Sequence, residues 1–157
     1  MKPIIRDLDI LQSGPIKFAY RISVLRNWYA LPGYKILEKK YSVSEPEVSA
    51  LFCLGHRDNL RATDVCSITG RPKNTVSRAL SLLEEKGLID RRSSAIDRRQ
   101  KAIVLTPSGH TLFKAMLTVF RDREAKILAG LNSKERDVLD KLLGKMVEGF
   151  VRRTEKY

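Results

Sequence analysis

A polar-faced helix followed by two short strand-like segments is encoded by residues 71–106, RPKNTVSRALSLLEEKGLIDRRSSAIDRRQKAIVLT. Pro72 suits the first turn of a helix, and Gly87 suits its left-handed end. Helical spacing places the apolar residues on one side, namely Val76, Ala79, Leu80 and Leu83. The opposite side carries Asn74, Ser77, Arg78 and Ser81. These small, amide and guanidinium side chains are types that hydrogen-bond base edges and phosphates, so the sequence predicts a helix that packs on one face and contacts a polar partner on the other.

The two segments after this helix, Leu88–Ser93 and Lys101–Thr106, are short, mix apolar and basic residues, flank a polar tip and predict an antiparallel hairpin. The tip contains Asp97, Arg98 and Arg99. An ion pair with Asp97 would hold one arginine and leave the other able to enter a minor groove, whose negative potential attracts arginine. The alternative interpretation is a solvated charged turn. Helix and hairpin together predict a mainly α fold with a winged helix-turn-helix.

The remaining periodicity predicts helices on both sides of this module. Helical spacing runs from residue 15 to about 31, is interrupted at Pro32-Gly33 by an expected kink or short break, and resumes over 34–41. Ser44 with Glu47 and Asn132 with Glu135 resemble capping boxes. The further helices are expected at 44–55, 62–69, 72–86, 107–130 and from 132 onward. Residues 1–14 are expected to form an arm.

Apolar stripes on the terminal helices exceed what a small winged module can cover. They include Phe18, Ile22, Leu25 and Trp28 near the start, and Leu139, Leu142, Leu143, Met146 and Phe150 near the end. A homodimer with interleaved terminal helices is the economical solution, because two-fold interfaces are the commonest closed assembly. The alternative is a monomer whose terminal helices fold back on the module.

Composition favours a nucleic-acid partner over a membrane. The chain has 157 residues and a formal net charge of +12, which favours a polyanionic partner through counterion release. The charged N-terminal residues do not resemble a signal peptide, and no run approaches the length of a membrane span. Cys53 and Cys66 offer no disulfide framework. We therefore expect one domain in a reducing cytoplasm.

Catalytic and metal-binding patterns are not recognised in the sequence. It contains no glycine-rich phosphate loop and no Gly-x-Ser-x-Gly nucleophile motif. Cys53 and His56 stand three residues apart, but two ligands do not make a metal site, and His110 is isolated. We expect no enzyme activity, no metal and no cofactor.

Residues 71–109 resemble the MarR (multiple antibiotic resistance regulator) family of winged-helix transcription factors. The segment IDRRQKAIVLTPSG is similar to the family's wing signature, and TVSRALSLLEEKGLIDR is similar to its recognition helix and following strand. The resemblance implies a single MarR-type domain over 1–157, with a DNA-binding module at 44–110 and dimerisation helices at 15–41 and 111–152.

The resemblance also implies which residues meet double-stranded DNA. The major groove would be contacted by Asn74, Thr75, Ser77 and Arg78. Arg99, steadied by Asp97, would reach the minor groove, with Arg98 as the competing candidate. Lys73 would lie near phosphates. Arg61 stands where the family often has a Thr or Ser cap, so the start of that helix is open, although its charge could meet a phosphate.

Family members commonly bind a small aromatic ligand between the dimerisation helices and the module. Trp28 and Tyr29 are candidate aromatic contacts here, and Arg21 or Arg26 could receive a carboxylate. The redox sensing known in the family is disfavoured, because both cysteines lie in or beside apolar runs. The function expected is a repressor released from a palindromic operator by such a ligand. The alternatives are a winged-helix protein-interaction module and an RNA-binding protein.

Overall fold

The computed structural model describes residues 14–93 and 101–154. This part of the chain contains six helices and one two-stranded antiparallel sheet. In chain order the elements are α1 (Lys17–Tyr41), α2 (Glu45–His56), α3 (Ala62–Thr69), α4 (Lys73–Glu85), β1 (Ile89–Ser93), β2 (Lys101–Leu105), α5 (Pro107–Ile127) and α6 (Ser133–Thr154). The mainly α winged-helix prediction is confirmed.

The first helix corrects one prediction. A kink or a short break was expected at Pro32-Gly33; α1 is continuous with Pro32 inside it, so the helix is not broken there. Inside a helix, proline removes one backbone hydrogen bond and its ring clashes with the preceding turn, at a cost of about 3 kcal/mol or more. Ala30, Gly33 and Leu37 are buried around this point, so packing on both sides of the proline holds the helix together. The helix ends at Ser42, whose φ of 55° is left-handed.

Two predicted capping boxes begin α2 and α6. At α6 both halves form, since Asn132 Oδ1 accepts from the Glu135 N–H at 3.0 Å and Glu135 accepts from the Asn132 N–H at 2.8 Å. At α2 the box of Ser44 and Glu47 is also present. The Glu47 carboxylate accepts from the Ser44 N–H at 2.8 Å and from the Ser44 hydroxyl at 2.6 Å.

The core of the winged module lies between α2, α4, the sheet and the start of α5. The apolar face predicted for α4 is buried as expected, at Val76, Ala79, Leu80 and Leu83. Gly87 ends this region with a φ of 66°, and the Leu88 N–H donates to the Leu83 carbonyl at 2.9 Å, which turns the chain into β1. The apolar face of α4 therefore anchors it to the rest of the module.

The hairpin pairs Ile89 with Leu105 and Arg91 with Ile103. The loop before α3 adds a third, minimal pairing, because the Ile103 N–H donates to the Leu60 carbonyl at 2.9 Å. Ile89, Ile103 and Leu105 are buried, so one face of the hairpin packs on the core. The strands found are one residue shorter than predicted at the ends nearest α4 and α5.

The chain consists of two compact units, Met1–Arg121 and Asp122–Tyr157. In the first unit α1 exposes large apolar side chains, namely Phe18, Ile22, Leu25 and Trp28. In the second unit α6 exposes Val138, Leu142, Leu143, Met146, Val147 and Phe150. Among the described helices, none combines the length and hydrophobicity that a membrane crossing requires.

Candidate nucleic-acid interface

The polar face of α4 consists of Lys73, Asn74, Ser77, Arg78 and Ser81, all of which are exposed. Thr75 is half-buried at its margin. Within the described residues, the side chains of Lys73, Asn74 and Arg78 make no hydrogen bond or ion pair. Their hydrogen-bonding capacity is therefore available to a partner, while the opposite face is held in the core.

The start of α4 is suited to an anionic partner. The helix begins at Lys73, one residue later than predicted, and Pro72 is the cap residue rather than the first helical residue. Its first turn contains no acidic residue. A helix N-terminus directs unpaired N–H groups and a positive partial charge outward, and Lys73 adds a full charge there.

Arg61 caps α3 through Asp64, which answers the question left open by the sequence. The Asp64 carboxylate accepts the Arg61 backbone N–H at 2.8 Å and contacts its guanidinium at 2.9 and 3.1 Å. The hydrogen bond from the Arg61 side chain lowers the pKa of Asp64. The guanidinium is thus engaged by a neighbouring carboxylate, and a phosphate contact by Arg61 remains a prediction.

The base of the wing is tied to α4 by a contact that the sequence analysis missed. Arg91 Nε lies 2.9 Å from Glu84, and its guanidinium also reaches Ser81 at 3.5 Å. Arg92 is exposed. The predicted wing-tip residues, Asp97, Arg98 and Arg99, lie outside the described residues. A second contact that was not predicted, between Lys86 and Glu47, joins the end of α4 to α2.

Glu47 is buried, with 2% of its surface exposed, and carries an ion pair. Lys86 Nζ lies 2.5 Å from its carboxylate and 2.5 Å from the Ser42 carbonyl oxygen. Burial disfavours the charged carboxylate, but the hydrogen bonds from Lys86 and Ser44 outweigh it, so the pKa of Glu47 lies below its usual value. This pair fixes the C-terminal end of α4 to the turn between α1 and α2.

A cavity of ≈ 520 Å³ lies between α1, α2, the end of α3 and α5. Its apolar wall includes Tyr29, Tyr34, Phe52, Ile68 and Phe120. Of the four predicted ligand contacts, Arg26 and Tyr29 line it, whereas Arg21 and Trp28 do not. The Tyr34 and Phe120 rings meet edge to face with centroids 5.4 Å apart, and burial raises the pKa of Tyr34.

The polar wall of this cavity is formed by one carboxylate and two guanidinium groups. Glu45 Oε1 accepts from Arg26 at 2.7 Å and from Arg71 at 2.7 Å. Burial opposes the ionised form of Glu45, but the two arginines prevail and its pKa is lowered. Arg26 was predicted from the sequence as a ligand contact, whereas Glu45 and Arg71 were not.

Cys53 also lies on this cavity, and its burial raises the pKa of the thiol. Such a thiol is a poor nucleophile at neutral pH. Cys66 is half-buried. Across residues 14–93 and 101–154, no three His, Cys, Asp or Glu side chains are grouped as a metal site would require.

A packed helix pair, an exposed polar helix and a basic hairpin in this order define a winged helix-turn-helix protein. Residues 41–100 match a sequence model of the MarR family. The chain is also similar to a MarR transcriptional regulator from Methanosarcina mazei Go1, with 21% identity, a TM-score of 0.76, and coverage of 85% of this chain and 96% of that one.

Two further solved structures are similar. A MarR-family regulator from Silicibacter pomeroyi shares 23% identity with a TM-score of 0.77, covering 85% of this chain and 90% of that one. MepR from Staphylococcus aureus, solved in complex with DNA, shares 27% identity with a TM-score of 0.72, covering 84% and 97%. Residues 41–100 are therefore similar to the MarR family, and the fold of the chain is similar to that of solved MarR-family structures. The solved structures from Methanosarcina mazei Go1 and Silicibacter pomeroyi are described as transcriptional regulators, in agreement with the expectation that the chain is not an enzyme.

Proposed function

We propose that this chain is a homodimeric, sequence-specific regulator of transcription that binds double-stranded DNA in the cytoplasm. It acts as a repressor and leaves a palindromic operator when a small aromatic ligand binds. In this proposal residues 1–157 form one MarR-type domain. Residues 44–110 are its DNA-binding module, and residues 15–41 and 111–152 are its dimerisation helices.

The observation that carries the proposal is the division of α4 into two faces. Val76, Leu80 and Leu83 are buried, whereas Lys73, Asn74 and Arg78 are exposed and make no side-chain hydrogen bond or ion pair within the described residues. Exposed helix surfaces usually carry glutamate and lysine pairs that contact each other. A face whose amide and guanidinium groups have no internal hydrogen-bond partner suits the major groove, where such groups read base edges.

The proposed contacts follow from this face. Asn74, Thr75, Ser77 and Arg78 enter the major groove, while Lys73 and Arg61 approach phosphates. Arg99, held by Asp97, enters the adjacent minor groove, with Arg98 as its alternative. The similarity to MepR, which was solved bound to DNA, supports the same mode of docking.

Dimerisation is supported by the apolar surface that each unit exposes by itself. Phe18 and Trp28 of α1 are 67% and 65% exposed, and Phe150 of α6 is 71% exposed. Contiguous apolar surface of this kind marks an interface. A two-fold dimer presents two α4 helices to half-sites whose centres are about 10 bp or a multiple of that apart.

The cavity supports the ligand part of the proposal, because it combines aromatic walls with arginine side chains. A ligand can release DNA only if it binds more tightly to a dimer whose α4 helices are spaced wrongly for the operator. Arg26 and Tyr29 are the predicted contacts in this cavity. Arg21 and Trp28 are also predicted to contact the ligand, but they do not line this cavity and would have to bind it at another surface.

The test is selection of bound duplexes from a random pool, followed by titration of the enriched duplex at several salt concentrations. The proposal expects a palindromic consensus, a steep loss of affinity with salt and a specificity ratio of about 10³ or more. Preference for folded or single-stranded RNA in competition would instead indicate an RNA-binding protein. Absence of nucleic-acid binding would indicate a protein-interaction module. Either result overturns the proposal.

A further inference from the structure

Two acidic residues in the first turn of α2 contact both ends of α4. Glu45 binds Arg71, two residues before α4 begins, and Glu47 binds Lys86, immediately after it ends. Each contact also involves the first helix or its end, because Glu45 binds Arg26 of α1 and Lys86 donates to the carbonyl of Ser42. In addition to its apolar packing, α4 is therefore linked to α1 through α2 by two ionic contacts.

These two contacts differ in accessibility. Glu47 is 2% exposed, and its pair faces the packed side of the module. Glu45 lies on the wall of the ≈ 520 Å³ cavity, where its side chain is 26% exposed and that of Arg71 is 25% exposed. A small molecule in the cavity can reach the first contact but not the second.

The wall around Glu45 already has the chemistry of a carboxylate-binding site. Two guanidinium groups meet a single carboxylate oxygen at 2.7 Å each, so the three side chains carry a net charge of +1. Arginine is the preferred side chain for carboxylate recognition, since its planar group supports paired hydrogen bonds. A second carboxylate arriving there would meet a residual positive charge. Glu45, being partly exposed, could regain hydration when displaced.

We propose that Glu45 acts as an internal competitor for this site, and that an aromatic monocarboxylate controls α4 by taking its place between Arg26 and Arg71. The aromatic body would pack against Tyr29, Tyr34 and Phe120. Displacement frees the N-terminal end of α4 from α1, while Glu47 and Lys86 hold the C-terminal end as a fixed point. This inference rests on the proposed DNA-binding function and assigns its control to one side chain.

The experiment measures binding of 2-naphthoate and of its neutral analogue 2-naphthamide to the full chain by calorimetry. In Glu45→Gln the competing charge is gone, so 2-naphthoate is expected to bind about tenfold more tightly than to the wild type, with 2-naphthamide unchanged. The double variant Glu45→Gln/Arg71→Gln loses this gain. Glu38→Gln, which removes an exposed charge of α1 outside the cavity wall, behaves as the wild type.

Should Glu45→Gln fail to fold, Glu45→Asp serves instead, because the shorter side chain withdraws the carboxylate oxygen that both guanidinium groups contact. The same direction with a smaller gain is expected. An equal change for both probes, or no change in either, overturns the inference. Addition of 2-naphthoate should then release a bound duplex, and Glu45→Gln should require a lower concentration of 2-naphthoate than the wild type. If the wild type binds no duplex, the proposed function fails, and calorimetry still decides the role of Glu45.

Discussion

Replacing Lys86 with methionine tests whether the buried pair with Glu47 supports the module. Methionine keeps an unbranched apolar stem of similar length but removes the ammonium group, which leaves the Glu47 carboxylate 2% exposed with only the two bonds from Ser44. Removing one partner of a buried ion pair typically costs ~3–5 kcal/mol. Because Lys86 is about one third exposed and Ser44 remains, we expect a loss near the lower end, about 3 kcal/mol.

The loss should depend on pH in a defined direction. In the wild type the folded pKa of Glu47 lies below its unfolded value, so its contribution is present above the unfolded pKa and disappears as the pH falls through the folded one. In Lys86→Met, burial still raises the pKa of Glu47, but the hydrogen bond from Lys86, which lowers that pKa most, is gone. Its charge therefore penalises folding at neutral pH, and protonation relieves that penalty. The difference in unfolding free energy between variant and wild type should shrink between pH 7 and pH 4.

Urea unfolding at fixed protein concentration measures this difference, since dimerisation would make stability depend on concentration. Lys145→Met on α6, an exposed site, provides the matched control. Glu47→Gln/Lys86→Met should recover about half of the loss, because no charge is then left buried. The reasoning is refuted if Lys86→Met lies within about 0.5 kcal/mol of the wild type at pH 7, or if its loss is the same at pH 4.

Three further predictions concern other parts of the molecule. Arg78→Ala should cost about 1–3 kcal/mol in binding to the selected duplex and relax sequence preference at one position, measured against Lys145→Ala; uniform weakening across sequences would assign Arg78 to a phosphate. Gly55→Ala should lose about 1–3 kcal/mol in thermal unfolding, because its Cβ would stand 2.4 Å from the Phe113 ring, whereas Gly144→Ala has open space and should not be destabilised. In Cys66→Ser, the remaining Cys53 should react with a thiol reagent far more slowly in the folded protein than in the protein unfolded in urea, because burial raises the pKa of its thiol. Equal reaction rates in the two states would contradict the buried position of Cys53.

The elements of the fold were largely predictable because their signals are local. The apolar face of α4, the glycine after it and the box formed by Asn132 and Glu135 each involve residues within about one to four turns of helix. The error at Pro32 has the opposite origin. Proline weakens a helix locally, but burial of Ala30, Gly33 and Leu37 depends on elements distant in sequence, and this packing decided the outcome.

The candidate site was predictable only where exposure alone defines it. The polar face of α4 follows from helical spacing. The contacts that position it do not, since Glu47 meets Lys86 across 39 residues and Glu45 meets Arg71 across 26. In the sequence Glu47 had a complete local explanation as a capping residue, and Glu45 was an ordinary acid in a helix's first turn. Only the packing of α1, α2 and α4 together shows that both serve the position of α4.

These internal ion pairs also explain why the net positive charge of the chain leaves unpaired cations on the exposed face of α4. In the module, Glu45, Glu47, Asp64 and Glu84 are engaged by Arg26, Arg71, Lys86, Arg61 and Arg91, pairs that set the geometry of helices and wing. Paired groups contribute little field at a distance. Lys73, Arg78 and Arg92 make no ion pair within the described residues, and Lys73 and Arg78 share the exposed face of α4. The unpaired positive charge of α4 therefore lies on the face that would meet a phosphate backbone, while these four acids are paired inside the module.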